Sequence, residues 1–469
     1  MTLLDESLSM VADRMADCIR SRKPIMVVTH MDCDGLASGA IISKALIRAG
    51  AACTVRSSVE FNAGTVEEMS KDGRDFHVVT DLAGGYAEDM DAALGDRWVV
   101  LDHHHIPDTE RDNERVVNAW KYGMDGGVEV CAGGMAYLAA TALDGDNVDL
   151  APMAVVAALG DRQDQGKQRS LTGKNQEIAE RAKAEELLSV DLDLLLYGRE
   201  TRPLPDALAF TSQPYIRGIT WERGSCAALL KKADIPLKEK GRWRVPADLT
   251  QEEKSAIVNA IARYSPGAGV DDAVAEMVGH TYTLEGEEKG SFMRDGREFG
   301  TMLNSCGRIG RAGIGIAVCM GDRGQMLAAS EATLKEYRGR IRECMNILSN
   351  DRWRTTVRGA VVMVNADGVV PETMTGTIAS MLSSSPKNVG KVVMLRTSGE
   401  DNTVKFSSRK SVGCTLPVSL SDVMREGTER FGGVGGGHDM AAGARIGKER
   451  LDEFLEYLEE NVNDMPDPG

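Results

Sequence analysis

The chain carries its chemistry in two short clusters of acids and histidines. One reads His30-Met31-Asp32-Cys33-Asp34-Gly35, the other Asp102-His103-His104-His105. Each follows an apolar, β-branched run, residues 25–29 and 98–101, so each falls where a strand ends. Asp81 closes another such run, 76–80, and Asp161 closes the apolar segment before it. Carboxylates suit hard cations such as Mg2+ and Mn2+, and imidazole extends the set toward Mn2+. Asp32, Asp34, Asp81, Asp102, His103, His104 and Asp161 supply ligands enough for two ions if one carboxylate bridges them. Two ions about 3.5–4 Å apart activate a water and stabilise the leaving oxygen of a phosphodiester. Taken singly, Asp-x-Asp-Gly is more often a turn or cap; the run Asp-His-His-His is the rarer signal. The isolated His77 and His280 read as a strand side chain and a surface or packing residue.

The elements that must hold these residues follow from periodicity. Residues 1–23 read as an amphipathic helix. Short apolar runs at 25–29, 52–56, 76–80 and 98–101 read as strands, with a helix over 36–49 stopped by Gly50. Strands alternating with helices give βαβ units and a largely parallel sheet, whose ligand sites lie at the carboxyl ends of the strands. Residues 131–160 read as helical and alanine-rich, and 170–265 as a charged helical insert with prolines in its loops. Strand patterns return at 360–364, 391–395 and 403–407 after a helix over 328–349. The run Gly432-Gly433-Val434-Gly435-Gly436-Gly437-His438 follows, and tight flanking by strands and a helix favours a backbone-amide anion cradle over a linker. A helix over 447–462 precedes an acidic, proline-containing tail. Arg409, after the last strand run, could pair with a phosphate, although such an arginine is more often a surface ion-pair partner.

At 469 residues the chain exceeds one hydrophobic core, so two or three domains are expected. A formal net charge of −16 argues against a nonspecific nucleic-acid binder. Part of that acidity belongs to a metal cluster, where bound cations would reverse its sign. A basic stripe also runs through Arg217, Arg223, Lys231, Lys232, Lys238, Lys240, Arg242 and Arg244 against only Glu222, Asp234 and Glu239. It is equally compatible with a solvated surface and with an anionic polymer. Nine cysteines without CxxC spacing read as reduced, mostly buried thiols. No apolar stretch is long enough for a bilayer and the N-terminus has no signal-peptide core, so a cytoplasmic location is expected.

These motifs resemble those of the DHH phosphoesterase superfamily over nearly the whole length. The first family motif is similar to His30–Gly35, the second to Asp81, the third to Asp102-His103-His104 and the fourth to Asp161; Gly435-Gly436-Gly437-His438 resembles the glycine-histidine stretch of the C-terminal substrate-binding domain. Gly160-Asp161-Arg162-Gln163-Asp164, the segment 292–299 and Leu303-Asn304-Ser305-Cys306-Gly307-Arg308 resemble the archaeal RecJ-like group, which includes the GINS-associated nuclease. The resemblance implies an α/β fold: a parallel-sheet DHH domain (1–168), a helical insert with connecting helices (169–345) and a smaller C-terminal α/β substrate-binding domain (346–469), with an interdomain groove that admits a single strand.

It further implies a Mn2+- or Mg2+-dependent exonuclease on single-stranded DNA or RNA, in replication or repair, using two divalent cations with Mn2+ preferred. Asp32, Asp34, Asp81, His103 and Asp161 would be metal ligands, with His30 a further candidate and Asp81 the bridge. Asp102 would orient the site. His104 would contact the scissile phosphate or help the leaving group. Ser407, Arg409, Gly435, Gly436, Gly437 and His438 would bind substrate. His105 extends the usual histidine pair and has no role assigned. Because no metal motif is degraded, an active enzyme is expected. Two other readings stand beside the exonuclease: a phosphodiesterase of oligoribonucleotides or cyclic dinucleotides, whose relatives lack the 170–265 insert, and a scaffold of the replicative helicase complex that binds GINS.

Overall fold

Five parallel strands form the sheet of the N-terminal unit: β1 (Ile25–His30), β2 (Cys53–Ser58), β3 (Phe76–Thr80), β4 (Trp98–Asp102) and β5 (Val116–Asn118), in the order β2-β1-β3-β4-β5. Successive side chains of a strand point to opposite faces, and both faces here are apolar. Val27, Val78, Val99 and Leu101 face the helices Leu3–Arg20, Cys33–Arg48, Ala132–Leu143 and Ala151–Gly160. Val28, Val79, Trp98 and Val100 face the helices Ala63–Lys71 and Ala87–Leu94. Continuous rather than alternating apolar runs are what a sheet covered on both sides requires. The computed structural model describes residues 2–264, 275–399 and 402–463; the acidic tail lies outside them.

Connectivity reverses between β1 and β3, which are hydrogen-bonded neighbours although β2 lies between them in sequence. In open α/β sheets that switch point opens a crevice beyond the strand ends. Register fixes what borders it. Thr29 pairs with Thr80 and Thr80 with Leu101, so His30, Asp81 and Asp102 form a row across three adjacent strand tips.

The first motif's helix starts earlier than its apolar pattern suggests. Asp32 caps it, accepting a hydrogen bond from Gly35 N at 3.1 Å, so the helix begins at Cys33 rather than Leu36. The alanine-rich stretch divides into two helices around a turn capped by Asp144. The charged helical insert read over 170–265 also holds strands, one of them paired with a strand beyond its end. β6 (Leu188–Leu194) pairs antiparallel with β9 (Val278–Leu284), and β7 (Lys238–Glu239) with β8 (Arg242–Trp243) form a small hairpin. The alternation in Leu188-Ser189-Val190-Asp191-Leu192 is the strand signal that neighbouring helical charge patterns obscure. The insert has its own apolar core, which includes Leu204, Leu208, Ile219, Leu229, Leu230, Ile257 and Ile261.

The chain divides into two compact units, Met1–Leu334 and Lys335–Gly469, and the helix Gln325–Asn350 runs through the boundary. The second unit holds a six-stranded sheet of β10 (Thr355–Arg358), β11 (Val361–Asn365), β12 (Val392–Ser398), β13 (Thr403–Lys410), β14 (Val434–His438) and β15 (Ala441–Gly447), ordered β10-β11-β12-β13-β15-β14. Only β11–β12 is parallel. Phe406, Ala442, Ala444 and Ile446 share a core with the helices Leu420–Phe431 and Leu451–Asn463.

Two expectations are refined here. The glycine run is no linker: from Val434 it is itself a strand, the edge strand β14, hydrogen-bonded to β15, which is the small-residue run after it. Arg409 lies within β13 rather than after it. Glycine is needed at 435 because a Cβ there would stand 2.5 Å from the Met424 carbonyl oxygen and 2.9 Å from Thr428 Oγ1 on the helix beneath. Gly435→Val should therefore force β14 off that helix and destabilise the second unit by about 1–3 kcal/mol. Urea unfolding followed on that unit's signal checks this, and an unchanged midpoint would contradict it.

Candidate metal centre

Three strand tips and three helix ends converge on one buried cluster. Asp81 lies at its middle, 1% exposed, with φ of +61° at the turn after β3. That left-handed conformation is tolerated by aspartate better than by most residues, yet costs of order 1 kcal/mol or more. It turns the carboxylate back over the sheet edge, where its two oxygens face different partners. Oδ2 is 3.5 Å from His30 Nδ1, and Oδ1 is 3.2 Å from His103 Nε2.

The cluster resolves into overlapping sets of ligand atoms within 4.8 Å of one another: His30, Asp32 and Asp81; Asp34, His103 and Asp161; and Asp81, Asp102, His103 and His104. Asp81 belongs to the first and third sets, His103 to the second and third. The eight acids and histidines singled out in the two clusters and at Asp81 and Asp161 are thus brought together, and His105 stands outside all three sets.

Several are held from behind. Asp34 accepts from Ala132 N at 2.8 Å and Gly133 N at 2.6 Å, so the N-terminus of the helix Ala132–Leu143 faces its charge. His103 Nδ1 donates to the Gly126 carbonyl at 2.6 Å, which leaves Nε2 directed at Asp34, Asp81 and Asp161. Such a backbone anchor on the far nitrogen is how metal-binding imidazoles are oriented. Gln163, fully buried, donates to the same carbonyl at 2.8 Å and to Asp161 Oδ2 at 2.8 Å; its own oxygen accepts from Asn175 Nδ2 at 2.6 Å. Asp102 Oδ1 accepts from His103 N at 2.8 Å and His104 Nδ1 at 2.9 Å. Beneath the cluster Thr80 Oγ1 donates to Thr29 Oγ1 at 2.7 Å and Ser38 Oγ to Thr80 Oγ1 at 3.0 Å, tying the first motif to the strands.

A distant helix, Gly296–Arg308, closes over the first motif. Asn304 Oδ1 accepts from Cys33 N at 3.2 Å, and Gly307 leaves no room for a side chain against the Met31 carbonyl. Arg297 on that helix pairs with buried Asp164 at 2.7 Å. The stretches 160–164, 292–299 and 303–308, far apart in sequence, therefore meet around one site. Gln163 and Asn304 stood inside those stretches and Thr29 heads the first cluster; nothing in the sequence marked Asn175, Ser38 or Thr80.

Electrostatics follow from this crowding. Burial and the neighbouring Asp81 push Asp34 well above the usual carboxylate range. Burial raises Asp161 to about 6, with His103 opposing and Asp32 and Asp81 reinforcing. Burial alone would discharge His30 and His103, but the acids around them outweigh it and hold both well above the ordinary imidazole value. Burial likewise works against charge on His104, and Asp102 overcomes it to raise the pKa to about 9. Among buried polar atoms, both oxygens of Asp81, Asp102 Oδ2 and His103 Nε2 have no hydrogen-bond donor or acceptor to satisfy them. Buried polar atoms without hydrogen bonds are costly unless another group, such as a cation, completes them. The donor set of carboxylates and imidazoles fits Mn2+ or Mg2+.

In the second unit, Ser407 and Arg409 alternate on one face of β13. Arg409 is cross-strand from Ala441, and Ala441 from His438, so His438 shares that face; Gly436 shares it through Gly443 and Ser407. Gly435 and Gly437 point to the other face. Arg409 Nε donates to Ser380 Oγ at 3.1 Å and Ser407 Oγ to Thr375 Oγ1 at 3.1 Å, both on or at the helix Thr375–Ser383. His438 is exposed.

The DHH family N-terminal domain matches residues 24–160, the DHH-CID domain 196–278 and the DHHA1 domain 358–464. An uncharacterized protein of Methanocaldococcus jannaschii is 26% identical over 454 residues, covering 94% of each chain. RecJ of Thermus thermophilus in complex with Mn2+ superposes with a TM-score of 0.61 at 17% identity, covering 99% of this chain and 55% of that one; this chain thus spans just over half of that RecJ. CDC45 of Entamoeba histolytica superposes with a TM-score of 0.64 at 13% identity, covering 98% of this chain and 99% of that one. The Thermus RecJ has also been crystallised with Mg2+. Among the described residues no helix is long and apolar enough to cross a membrane.

Two outcomes follow for the isolated protein. Removing Asp81 or His103 as alanine strips ligands while leaving the apolar cores intact, so calorimetry should show Mn2+ binding lost and the circular dichroism spectrum unchanged. The raised Asp161 carboxyl contributes stability that is present below about pH 4 and lost as pH rises through about 6, because its buried charge then lacks a proton. A cation must displace that proton and the imidazole protons of His30 and His103, so Mn2+ affinity should weaken by at least about tenfold per unit as pH falls below about 6, with proton uptake by the buffer. Affinity independent of pH between about 5 and about 7 would contradict this.

Proposed function

We propose that this chain, which matches the DHH, DHH-CID and DHHA1 domains and shares its fold with RecJ, is a Mn2+- or Mg2+-dependent phosphodiesterase that removes nucleotides from an end of single-stranded DNA or RNA. The observation that carries the reading is Asp81, whose two buried, unsatisfied oxygens face two separate ligand sets. His30, Asp32 and Asp81 would hold one cation, and Asp34, His103 and Asp161 the other, with Asp81 Oδ1 near enough to His103 Nε2, at 3.2 Å, to be shared between them. When bound, such a pair polarises a phosphodiester and lowers the pKa of an attacking water.

The remaining roles fall to the chain's own groups. Asp102 orients His104 through Nδ1 and keeps the ring charged at neutral pH, leaving Nε2 as donor on a side chain 56% exposed. His104 would donate to a phosphate oxygen or to the leaving oxygen. Ser407, Arg409, Gly436 and His438 would grip phosphate or the terminal nucleotide, the glycine leaving the sheet face open. Gly435 and Gly437 would contribute through their backbone amides only. In the insert, Arg223, Arg242 and Arg244 are committed to Asp206, Asp248 and Glu253. Lys231, Lys232, Lys238 and Lys240 are exposed, and Lys238 Nζ lies 4.5 Å from the Trp243 ring centroid. These four lysines support contact with an anionic strand, and GINS binding belongs to the same proposal, tested by co-purification.

End-labelled single strands of DNA and RNA, digested with each metal, should shorten progressively. Asp81→Ala or His103→Ala should abolish cleavage. Turnover of dinucleotides with long strands untouched would replace this reading by the small-substrate one. Neutralising the four lysines should weaken strand binding and flatten its dependence on salt, since fewer counterions are released. An unchanged slope would remove the insert from the binding surface.

A further inference from the structure

His105 is exposed and lies outside every metal set. Its ring stacks on Trp120 with centroids 3.9 Å apart and planes 20° from parallel. That is its one ring partner among the described residues, and its side chain makes no hydrogen bond there. We propose that the His105–Trp120 stack is the platform on which the base of the nucleotide at the scissile phosphate lies. This rests on the strand-cleaving reading above and adds to it the feature of the substrate that the site reads.

Three observations carry it. The first is place. His105 directly follows His104, the exposed histidine oriented by Asp102. A Cβ at Gly84 would meet both Asp102 Oδ2 and the His105 carbonyl oxygen at 3.4 Å, so those two oxygens lie within about 7 Å of each other. The stack also shares its backbone turn with His104, because Asn118, two residues before Trp120, donates through Nδ2 to the His104 carbonyl at 2.9 Å.

The second is rigidity. Trp120 Nε1 donates to the His103 carbonyl at 3.0 Å and Asn118 Nδ2 to the His104 carbonyl at 2.9 Å. Lys121 Nζ ties the same turn to the carbonyls of Asn113 at 2.6 Å and Val116 at 2.7 Å. These bonds already fix the backbone of both segments. The ring stack is not needed to hold the loop, and it presents a flat, preset surface beside the catalytic histidine.

The third is scarcity. Aromatic residues make up 5% of the chain, and many of the large ones, Trp98, Phe299, Phe406 and Phe454 among them, are fully buried. A base needs a flat ring to stack on, and every base offers a face, so such a platform reads the presence of a base and not its identity.

The test couples a change in the protein to a change in the substrate. Oligonucleotides with a normal or an abasic residue at the terminal position, at either end, are compared as substrates of the wild type, His105→Ala and His105→Phe. The wild type should prefer the base-bearing end in kcat/KM by roughly five- to a hundredfold. His105→Ala should lose most of that preference, through slower cleavage of the base-bearing strand only, and His105→Phe should restore it. Mn2+ affinity should be the same in all three. Equal losses by His105→Ala on both strands, or a preference that survives it, would overturn the platform while strand cleavage stands. No cleavage of either strand by the wild type, with turnover of bis(p-nitrophenyl) phosphate, would overturn the strand reading and the platform with it.

Discussion

Like charges buried at close range set the terms for the N-terminal unit. Asp32, Asp34, Asp81, Asp102 and Asp161 crowd around His30, His103 and His104, and carboxylates so close cannot all ionise unless something positive sits among them. The fold supplies partial compensation: two backbone amides of a helix N-terminus on Asp34, a Gln163 amide on Asp161, and imidazoles whose charge the acids themselves sustain. What it withholds is a partner for both oxygens of Asp81 and for His103 Nε2. A cluster of carboxylates and imidazoles so arranged has the donor set that could hold a divalent cation.

The rigidity required to keep such a cluster comes from close backbone approach. Gly35 in the first motif sits against the His30 carbonyl, Gly160 against Cys33, Gly300 against Gly160, and Gly307 against the Met31 carbonyl. Any side chain at 307 would push the helix Gly296–Arg308 off the loop that carries Asp32 and Asp34. Ion pairs then fasten the outer layer, with Asp164 accepting from both Arg169 and Arg297. The helix that closes the site from a distance of more than a hundred residues in sequence is as much part of the metal centre as the strand tips.

This division explains what could be read from the residues alone. The acids and histidines that the fold gathers were legible because strand-ending residues of those types are conspicuous after β-branched runs, and a parallel sheet gathers its strand ends. β3 and β4 fall where their apolar runs do. The supporting layer was not legible: Asn175, Ser38 and Thr80 are ordinary polar residues until the fold brings them under the site. The glycine run misled because glycine weakens any strand signal. Only the pairing with β15, and the helix pressing on Gly435, show why a strand there must lack side chains. β6 was hidden for a related reason, its partner β9 lying more than eighty residues away.

Fold and site also rest on separate energetic footings. The cores on the two faces of the parallel sheet are built from valine, leucine, methionine and alanine, and none of the metal-facing acids contributes to them. Their burial is an expense to folding, several kcal/mol for each unpaired charge, so the scaffold would stand without them. It follows that sheet order and apolar periodicity can persist among proteins at 13–17% identity, as the superpositions at that level illustrate. It follows too that the fold by itself says little about activity. In this chain the costly residues are all present, oriented from behind and aimed at one another, which is an arrangement that stability alone would disfavour and that cation binding would offset.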